Sequence, residues 1–329
     1  MNKILVLGSN SFAGSQYITH SLSDENQMFG INRSTEHSHI FLPHLDSPSI
    51  YNYEFKQLDL NLDFEGIQKV LLDFEPEVIV DFAGQGMVAE SWQQPEQWYQ
   101  TNIVAKAKLH NFLKDKSWLK KYIRISTPEV YGSCEEKIDE TAIYNPSTPY
   151  AVSHAAIDMS LKAYQKQYDF PVIFTRYSNF YGPGQQLYRI IPRTIIYALT
   201  NQMLQLHGGG KAIRAFIHGQ DVASAINASI KKGVVGDTYH FSTDSFVSIK
   251  DLVRQIHDLM GLEHDKLVTV SEDRPGKDLQ YLMDDSKARE QLNWKPSVSL
   301  TDGLKQTIEW VTLNLNEIKS LSLNYQHKV

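Results

Sequence analysis

Ile4-Leu5-Val6-Leu7-Gly8-Ser9-Asn10-Ser11-Phe12-Ala13-Gly14 carries the clearest structural signal in the sequence. A short aliphatic run ends on a glycine, and an amphipathic segment of helical spacing, Phe12 to Leu22, follows at once. Gly8 permits a tight turn at the strand end, Gly14 permits close helix-to-strand packing, and the free amides of the helix start suit a pyrophosphate. The middle glycine of a G-x-x-G-x-x-G pattern is Ser11 here, so the strand-before, helix-after context carries the reading. Gly8, Asn10, Ser11, Phe12 and Gly14 are therefore the first candidate cofactor residues.

Outward from this stretch the same alternation repeats. Runs at Gln27 to Ile31, Tyr53 to Leu58, Val78 to Phe82, Lys121 to Ser126 and Val172 to Tyr177 read as strands. Between them, Leu62 to Phe74, Pro95 to Lys114 and Tyr150 to Tyr168 carry apolar residues at helical spacing. Strand-helix alternation of this kind predicts an α/β fold, a doubly wound parallel (Rossmann) sheet with right-handed crossovers. After Tyr177 the text becomes turn-rich, as in Tyr181-Gly182-Pro183-Gly184 and His207-Gly208-Gly209-Gly210, mixed with further helices. A smaller α+β portion is expected there, packed over the carboxyl ends of the sheet. The expected boundaries are 1–178, with a returning segment at about 215–243, for a dinucleotide-binding domain, and 179–214 with 244–329 for a substrate-binding domain. The tail from Asn314 to Val329 reads as peripheral.

With 329 residues the chain is long enough for a large core, and 32 Lys+Arg against 38 Asp+Glu leave a net charge of −6. An acidic balance argues against generic binding to nucleic acid or to an anionic membrane, so the charge that holds an anionic ligand must be local. Cys134 is the only cysteine, which permits no intrachain disulfide and suits a reducing compartment. The start is too brief and wrongly flanked for a signal peptide, and no apolar run is long enough to span a bilayer. A cytoplasmic protein is expected. The histidines show no metal-ligand spacing, so no metal is expected.

Strand two ends in Asn32-Arg33-Ser34, where a site preferring NAD usually places an acidic residue for the ribose 2′-hydroxyl. Arg33 and Ser34 offer a charged fork and a hydroxyl to a 2′-phosphate, which favours NADP while leaving NAD possible. A solvated arginine just past a strand is the alternative. Asp59-Leu60 after strand three either meets the adenine or caps the next helix.

Three further segments carry a family resemblance. They are Ser126-Thr127-Pro128-Glu129-Val130-Tyr131-Gly132, then Asn145-Pro146-Ser147-Thr148-Pro149-Tyr150-Ala151-Val152-Ser153-His154, then Asp273-Arg274-Pro275-Gly276-Lys277-Asp278. In this order they resemble the extended short-chain dehydrogenase/reductase family, and within it the sugar-nucleotide 4,6-dehydratases of the dTDP-glucose type. Weaker matches at Asp81-Phe82-Ala83-Gly84-Gln85, Thr101-Asn102, Arg176 to Pro183 and Ile213 to Phe216 extend the likeness to about Trp310.

The resemblance implies a closed redox cycle on a nucleotide-diphosphate hexose. Tyr150 takes the proton of the sugar 4-hydroxyl as hydride leaves C4, and Thr127 bonds the 4-oxygen. Glu129 removes the acidified C5 proton, water leaves from C6, and hydride returns there to give a 4-keto-6-deoxy sugar. It also implies cofactor contacts from Ala83, Gly84, Gln85, Tyr150 and His154. Substrate contacts are implied for Gln85, Thr127, Asn179, His207, Arg214 and Arg274, with Arg189 and Arg193 flanking the same cleft. Arginine forks suit a diphosphate because two N–H groups meet two oxygens.

Two positions depart from the family pattern. Pro128 stands where the dTDP-glucose enzymes have an aspartate, leaving Glu129 to protonate the leaving hydroxyl as well. His154 replaces the lysine of Tyr-x-x-x-Lys, the residue that normally lowers the tyrosine pKa. Slow or unusually pH-dependent chemistry is expected from this, and His154→Lys is expected to raise turnover. A 4-epimerase, which would not need Glu129, and a catalytically silent cofactor-binding homologue are the competing functions. The resemblance also implies a homodimer through the helices at 95–114 and 150–168, for which Ile157, Leu161 and Tyr164 offer apolar positions that core packing explains equally well.

Overall fold

The computed structural model describes residues 2–134, 136–264, 267–271 and 282–328. In chain order it begins β1 (Asn2–Leu7), α1 (Phe12–Ser21), β2 (Asn26–Asn32), β3 (Tyr53–Gln57), α2 (Phe64–Phe74) and β4 (Val78–Asp81). There follow α3 (Pro95–Tyr99), α4 (Lys106–Leu113), β5 (Lys121–Ile125), β6 (Lys137–Ile138), α5 (Pro149–Tyr168) and β7 (Val172–Tyr177). The remainder is β8 (Asn179–Tyr181), α6 (Ile190–Leu199), β9 (Leu204–His207), β10 (Ile213–His218), α7 (Gly219–Lys232) and β11 (Thr238–Phe241). After these come β12 (Phe246–Ser248), α8 (Ile249–Leu259), β13 (Val268–Ser271), β14 (Leu282–Met283), α9 (Ser286–Leu292) and α10 (Leu300–Leu313).

Seven strands form one sheet in the order β11-β7-β5-β4-β1-β2-β3, and every neighbouring pair is parallel. The chain reverses direction across the sheet between β1 and β4, and a doubly wound fold opens its ligand crevice at such a switch point. The core explains why these residues make strands. Alternate side chains of β1 point to opposite faces, so Ile4 and Val6 enter a cluster with Tyr17, Val222 and Ile226, under α1 and α7. Leu5 and Leu7 enter the other cluster, with Ile67, Leu71, Leu109 and Leu161 under α2, α4 and α5. Both faces of the sheet are thus covered, as a parallel sheet requires. Each fully buried leucine or isoleucine stabilises the fold by about 1.5–3 kcal/mol.

The smaller portion sits beyond β7. The strands β12-β10-β8 make a three-stranded sheet, β9 pairs with β13, and β6 pairs with β14. Helices α6, α8 and α10 close over a separate cluster that includes Ile191, Ile195, Phe216, Leu252 and Leu304. Between these elements the chain returns to the large sheet through α7 and β11, the latter paired with β7.

Three findings differ from the sequence expectation. The helix expected over Pro95 to Lys114 is interrupted by a π-helical turn at Gln100–Ala105, which carries Thr101 and Asn102. Ile157 and Leu161, offered as dimer positions, are fully buried, and Tyr164 packs against the core under the sheet. The apolar side chains that α5 leaves exposed are Val152, Met159 and Tyr168, because the helix turns its 157 and 161 positions inward. The tail is not peripheral: Leu321, Ser322, Asn324, Tyr325, Gln326 and Lys328 line the crevice beside the first glycine turn.

Candidate active site

The glycine turn and the β4 loop meet at the switch point. Gly8 has φ +80°, and a Cβ there would lie 2.9 Å from Ala83 N and from the Phe82 carbonyl carbon. A Cβ on Gly14 would stand 2.4 Å from the Gly8 oxygen, so strand, loop and helix can meet only through glycine. Ser11, the missing middle glycine, is the N-cap of α1 and its side chain accepts from Gly14 N. The first intrahelical bond of that turn is Ser15 N to Ser11 O, at 2.8 Å. That leaves the Phe12 and Ala13 amides without intrahelical partners, where an anion would be held.

A cavity of about 530 Å³ runs from this turn over Asn32, Arg33, Ser34, Asp59, Leu60, Ala83 and Gly84. Its residues suit a dinucleotide: an anion-binding helix start at one end, a positive and hydroxyl-bearing strand end at the other, and glycines where a Cβ would intrude. Asn10 ties the two ends together by donating to the carbonyls of Ser34 and Thr35 at 3.0 and 2.9 Å. Asp59 does not cap α2. That N-cap is Asp63, and the Asp59 carboxylate accepts from Asn61 N at 2.7 Å in a turn lining the cavity.

Arg33 donates from Nη1 to the Lys328 carbonyl at 3.1 Å and from Nη2 to Gln85 Oε1 at 3.5 Å. Gln85 donates to that same carbonyl at 2.7 Å, and Lys328 Nζ donates to Ser34 Oγ at 2.7 Å. Gln85 is itself fixed by Asn102, whose Oδ1 accepts from Gln85 N at 2.7 Å and whose Nδ2 donates to Gln85 O and Ser153 Oγ. Asn102 sits in the π-helical turn, a distortion that often accompanies function.

A second cavity of about 1200 Å³ adjoins the first along Ser11, Phe82, Ala83 and Gly84 and reaches the smaller portion. Thr127, Glu129, Tyr150 and His154 all line it. Thr127 ends the β5 loop and accepts from Glu129 N at 3.3 Å, so the turn places both side chains on the cleft. Tyr150 is at the start of α5, whose N-cap Thr148 accepts from Ala151 N. The phenol is pushed up to about 12, first by burial and then by the Glu129 charge, while Thr127, Arg189 and Arg124 pull it down. Its ring centre lies 4.6 Å from that of His154. His154 Nδ1 faces Arg124 Nη2 at 3.0 Å.

Asn179, Arg189, Arg193, His207 and Arg214 line the far part of this cleft, from β8, α6, β9 and β10. Arg214 is nearly buried and donates to its neighbour Ile213 O at 2.7 Å. Arg193 Nη2 bonds the Leu323 carbonyl and, at 3.2 Å, Asn324 Oδ1. His207 Nδ1 lies 2.8 Å from Ser271 Oγ. Arg274 lies outside the described residues.

Behind the cleft is a fully buried charge network. Lys106 Nζ bonds Asp81 Oδ2 at 2.5 Å, and Tyr122 donates to the same oxygen at 2.8 Å. Asp158 takes Arg124 Nε on one oxygen and Arg176 Nη2 on the other, each at 3.1 Å. Sequence reading gave no role to Arg124, Asn102 or Ser153 and placed the tail at the periphery. Arg124 and Asp158 carry the only signal available to it, charged residues on a strand and a helix that otherwise read as core.

Residues 5–307 match the family described as GDP-mannose 4,6 dehydratase.

The chain belongs to that family. Among curated relatives, a trifunctional UDP-glucose 4,6-dehydratase/3,5-epimerase/reductase of Arabidopsis thaliana is 31% identical over 83% of this chain. This chain spans 41% of that relative's length. The dTDP-D-glucose 4,6-dehydratase of Homo sapiens is 30% identical over 97% of this chain and 92% of its own. In three dimensions the dTDP-glucose 4,6-dehydratase of Bacillus anthracis, solved with NAD, superposes with a TM-score of 0.87. It is 29% identical and the match covers 98% of this chain and 100% of that one. The UDP-glucose 4-epimerase of Thermotoga maritima is also similar, with a TM-score of 0.86 at 25% identity over 95% and 99%. A dehydratase solved with NAD and an epimerase solved with UDP-glucose thus share one scaffold with this chain, which has an NAD(P)-type crevice. Among the described residues no helix is long and apolar enough to cross a membrane.

Proposed function

We propose that the chain is a nucleotide-sugar 4,6-dehydratase that converts an NDP-hexose to its 4-keto-6-deoxy form. The observation that carries this is the placing of Thr127, Glu129 and Tyr150 on one cleft that runs into the dinucleotide cavity. An epimerase needs the tyrosine and threonine; the added carboxylate beside the phenol is what an elimination at C5 and C6 needs.

A bound nicotinamide supplies the acceptor and then the donor of one hydride. The protein's own residues handle the protons. Tyr150, as phenolate, takes the proton of the 4-hydroxyl, with Thr127 orienting the oxygen. Glu129 removes the C5 proton once C4 is a ketone. With Pro128 offering no acid beside it, the Glu129 carboxyl then delivers a proton to the departing 6-hydroxyl. Arg214, Arg189 and Arg193 hold the diphosphate, with Asn179 as a neutral donor; Arg274 is assigned the same task from sequence alone. His207 borders the nucleotide end.

The cofactor we assign is NADP in preference to NAD. Arg33 and Ser34 support this, and Lys328 adds a second cation at the same hydroxyl. We also divide the chain into a cofactor portion, 1–178 with about 215–243, and a nucleotide-sugar portion, 179–214 with 244–329. The homodimer we expect would use the exposed face of α5 with Val152 and Met159. A cytoplasmic setting suits a sequence whose single cysteine is Cys134.

Incubation with a panel of nucleotide hexoses in deuterated water tests the assignment. Loss of water with deuterium at C5 supports it. Inversion at C4 without exchange would make the protein an epimerase, and cofactor binding without turnover would make it a silent homologue.

A further inference from the structure

The tyrosine of this site lacks the lysine expected one helical turn away, and the residue in its place cannot carry the missing charge. His154 is held with Nδ1 toward Arg124 Nη2, a group that can only donate, so Nδ1 must be the unprotonated acceptor. The proton of the neutral ring is then on Nε2, on the edge away from Arg124. A second proton at Nδ1 would set two donors and two cations against each other.

We propose that Arg124 is the positioning residue of this site: it fixes His154 as the neutral Nε2–H tautomer and supplies, from behind the ring, positive charge that joins that of Arg189 in favouring the Tyr150 phenolate. The proposal rests on the dehydratase reading for its catalytic consequence and on the hydrogen-bond geometry for the rest.

Three observations support it beyond the single contact. Arg124 is 1% exposed and fully engaged, with Nε on Asp158, Nη1 on the Ile125 carbonyl at 2.6 Å and Nη2 on His154. Its orientation is therefore fixed and a guanidinium cannot shed its proton. Among the described residues, Arg124, Arg176 and Lys106 form ion pairs with Asp158 and Asp81 alone, which leaves a surplus positive charge just behind the imidazole. The groups that face the pair accord with this. Arg124, Lys106 and Arg176 depress His154 further after burial has already lowered it, whereas Glu129 faces Tyr150 from the β5 loop and Arg189 from α6.

One consequence reverses the sequence-based expectation for His154→Lys. An ammonium introduced there would lie against Arg124, whose nearest carboxylate, Asp158, is already shared with Arg176. The lysine becomes acceptable only when Arg124 is neutral.

The direct test is nitrogen-15 NMR of histidine-labelled full-length protein, with the His154 signal assigned by its loss in His154→Gln. The expected result is a neutral ring protonated on Nε2 from pH 8 down to at least one unit below the ordinary histidine value of about 6.5. An imidazolium at neutral pH, or the Nδ1–H tautomer, overturns the proposal. This readout needs no substrate, so it stands even where every nucleotide sugar fails and the dehydratase reading falls with it.

The kinetic test is a cycle of Arg124→Gln, His154→Lys and the double variant, read as pH profiles. Arg124→Gln should move the acid limb assigned to Tyr150 upward by about one unit, with about a tenfold loss at neutral pH, since one unit removes about tenfold of the phenolate. Arg124→Lys should keep the limb near its original place. His154→Lys alone should lower turnover, and the double variant should recover most of it. An unmoved limb in Arg124→Gln, or a gain in His154→Lys alone, overturns the proposal. Should Arg124→Gln not fold, His154→Lys and the NMR of the unaltered protein decide it.

Discussion

Arg33 and Lys328, at opposite ends of the chain, are joined by a 3.1 Å hydrogen bond from the Arg33 guanidinium to the Lys328 carbonyl. The tail is held there from several sides. His327 stacks on Trp98 with rings 5.1 Å apart and bonds Gln97, and Tyr325 packs edge-on against Tyr188. Residues 321–328 therefore contribute a wall to the dinucleotide-type cavity, built over the strand-two loop and bordering Arg193 of the larger cleft.

From this placement, Lys328→Ala should weaken binding of 2′,5′-ADP by about twofold to fivefold, the scale of a partly exposed ion pair, and leave 5′-AMP nearly unaffected. Calorimetric titration of both nucleotides checks it. Equal losses for the two would mean that Lys328 does not meet a 2′-phosphate. Tighter binding on its removal would mean that the tail obstructs the groove.

Glu129→Gln separates the two halves of the proposed reaction. The Glu129 charge raises the Tyr150 phenol, so its removal eases ionisation and leaves oxidation at C4 possible. Proton exchange at C5 should fall by at least about 10²-fold, the usual contribution of a placed general base. Nicotinamide absorbance should then show reduced cofactor accumulating while no deuterium enters C5. Retained exchange would place the base elsewhere.

Gly14→Ala should damage the crevice from the helix side. The new Cβ would come within 2.4 Å of the Gly8 oxygen, against backbone that has no free rotamer to move. An overpacking cost of about 1–3 kcal/mol is expected, seen as a lowered Tm, together with weaker dinucleotide binding. Unchanged values for both would mean that the turn can open without cost.

Acid should destabilise the fold through two buried histidines. His110 and His240 are both lowered to about 3, chiefly by burial. A folded value below the unfolded one favours the neutral ring, so the contribution is complete above pH 6.5 and is lost as pH falls from there toward 3. Each histidine can add a slope of at most about 1.4 kcal/mol per pH unit over that window. Denaturant melts between pH 7.5 and 4.5 check this, and His240→Gln should flatten the profile. The Tyr131 hydroxyl, which accepts from Arg176, lies 2.8 Å from His240 Nε2, so a second proton on this ring would also meet the nearby Arg176 charge.

The sheet and its crevice follow from local patterns in the sequence. Periodic aliphatic runs fix strands and the faces they bury, and a glycine at each end of a short turn records a steric limit that any reader of the text can apply. Thr127, Glu129 and Tyr150 were likewise legible, because each lies in a local motif at a strand end or helix start. Which of these residues are neighbours across the fold depends on how the elements pack. Arg124 meets His154 because β5 and α5 pack together, Asn102 reaches Gln85 from a π-helical turn, and Lys328 returns to Ser34 across the whole chain. Such pairings leave no mark on local spacing. Hydrogen bonds and charges act over a few ångströms of space, and that proximity is set by the packing of distant segments.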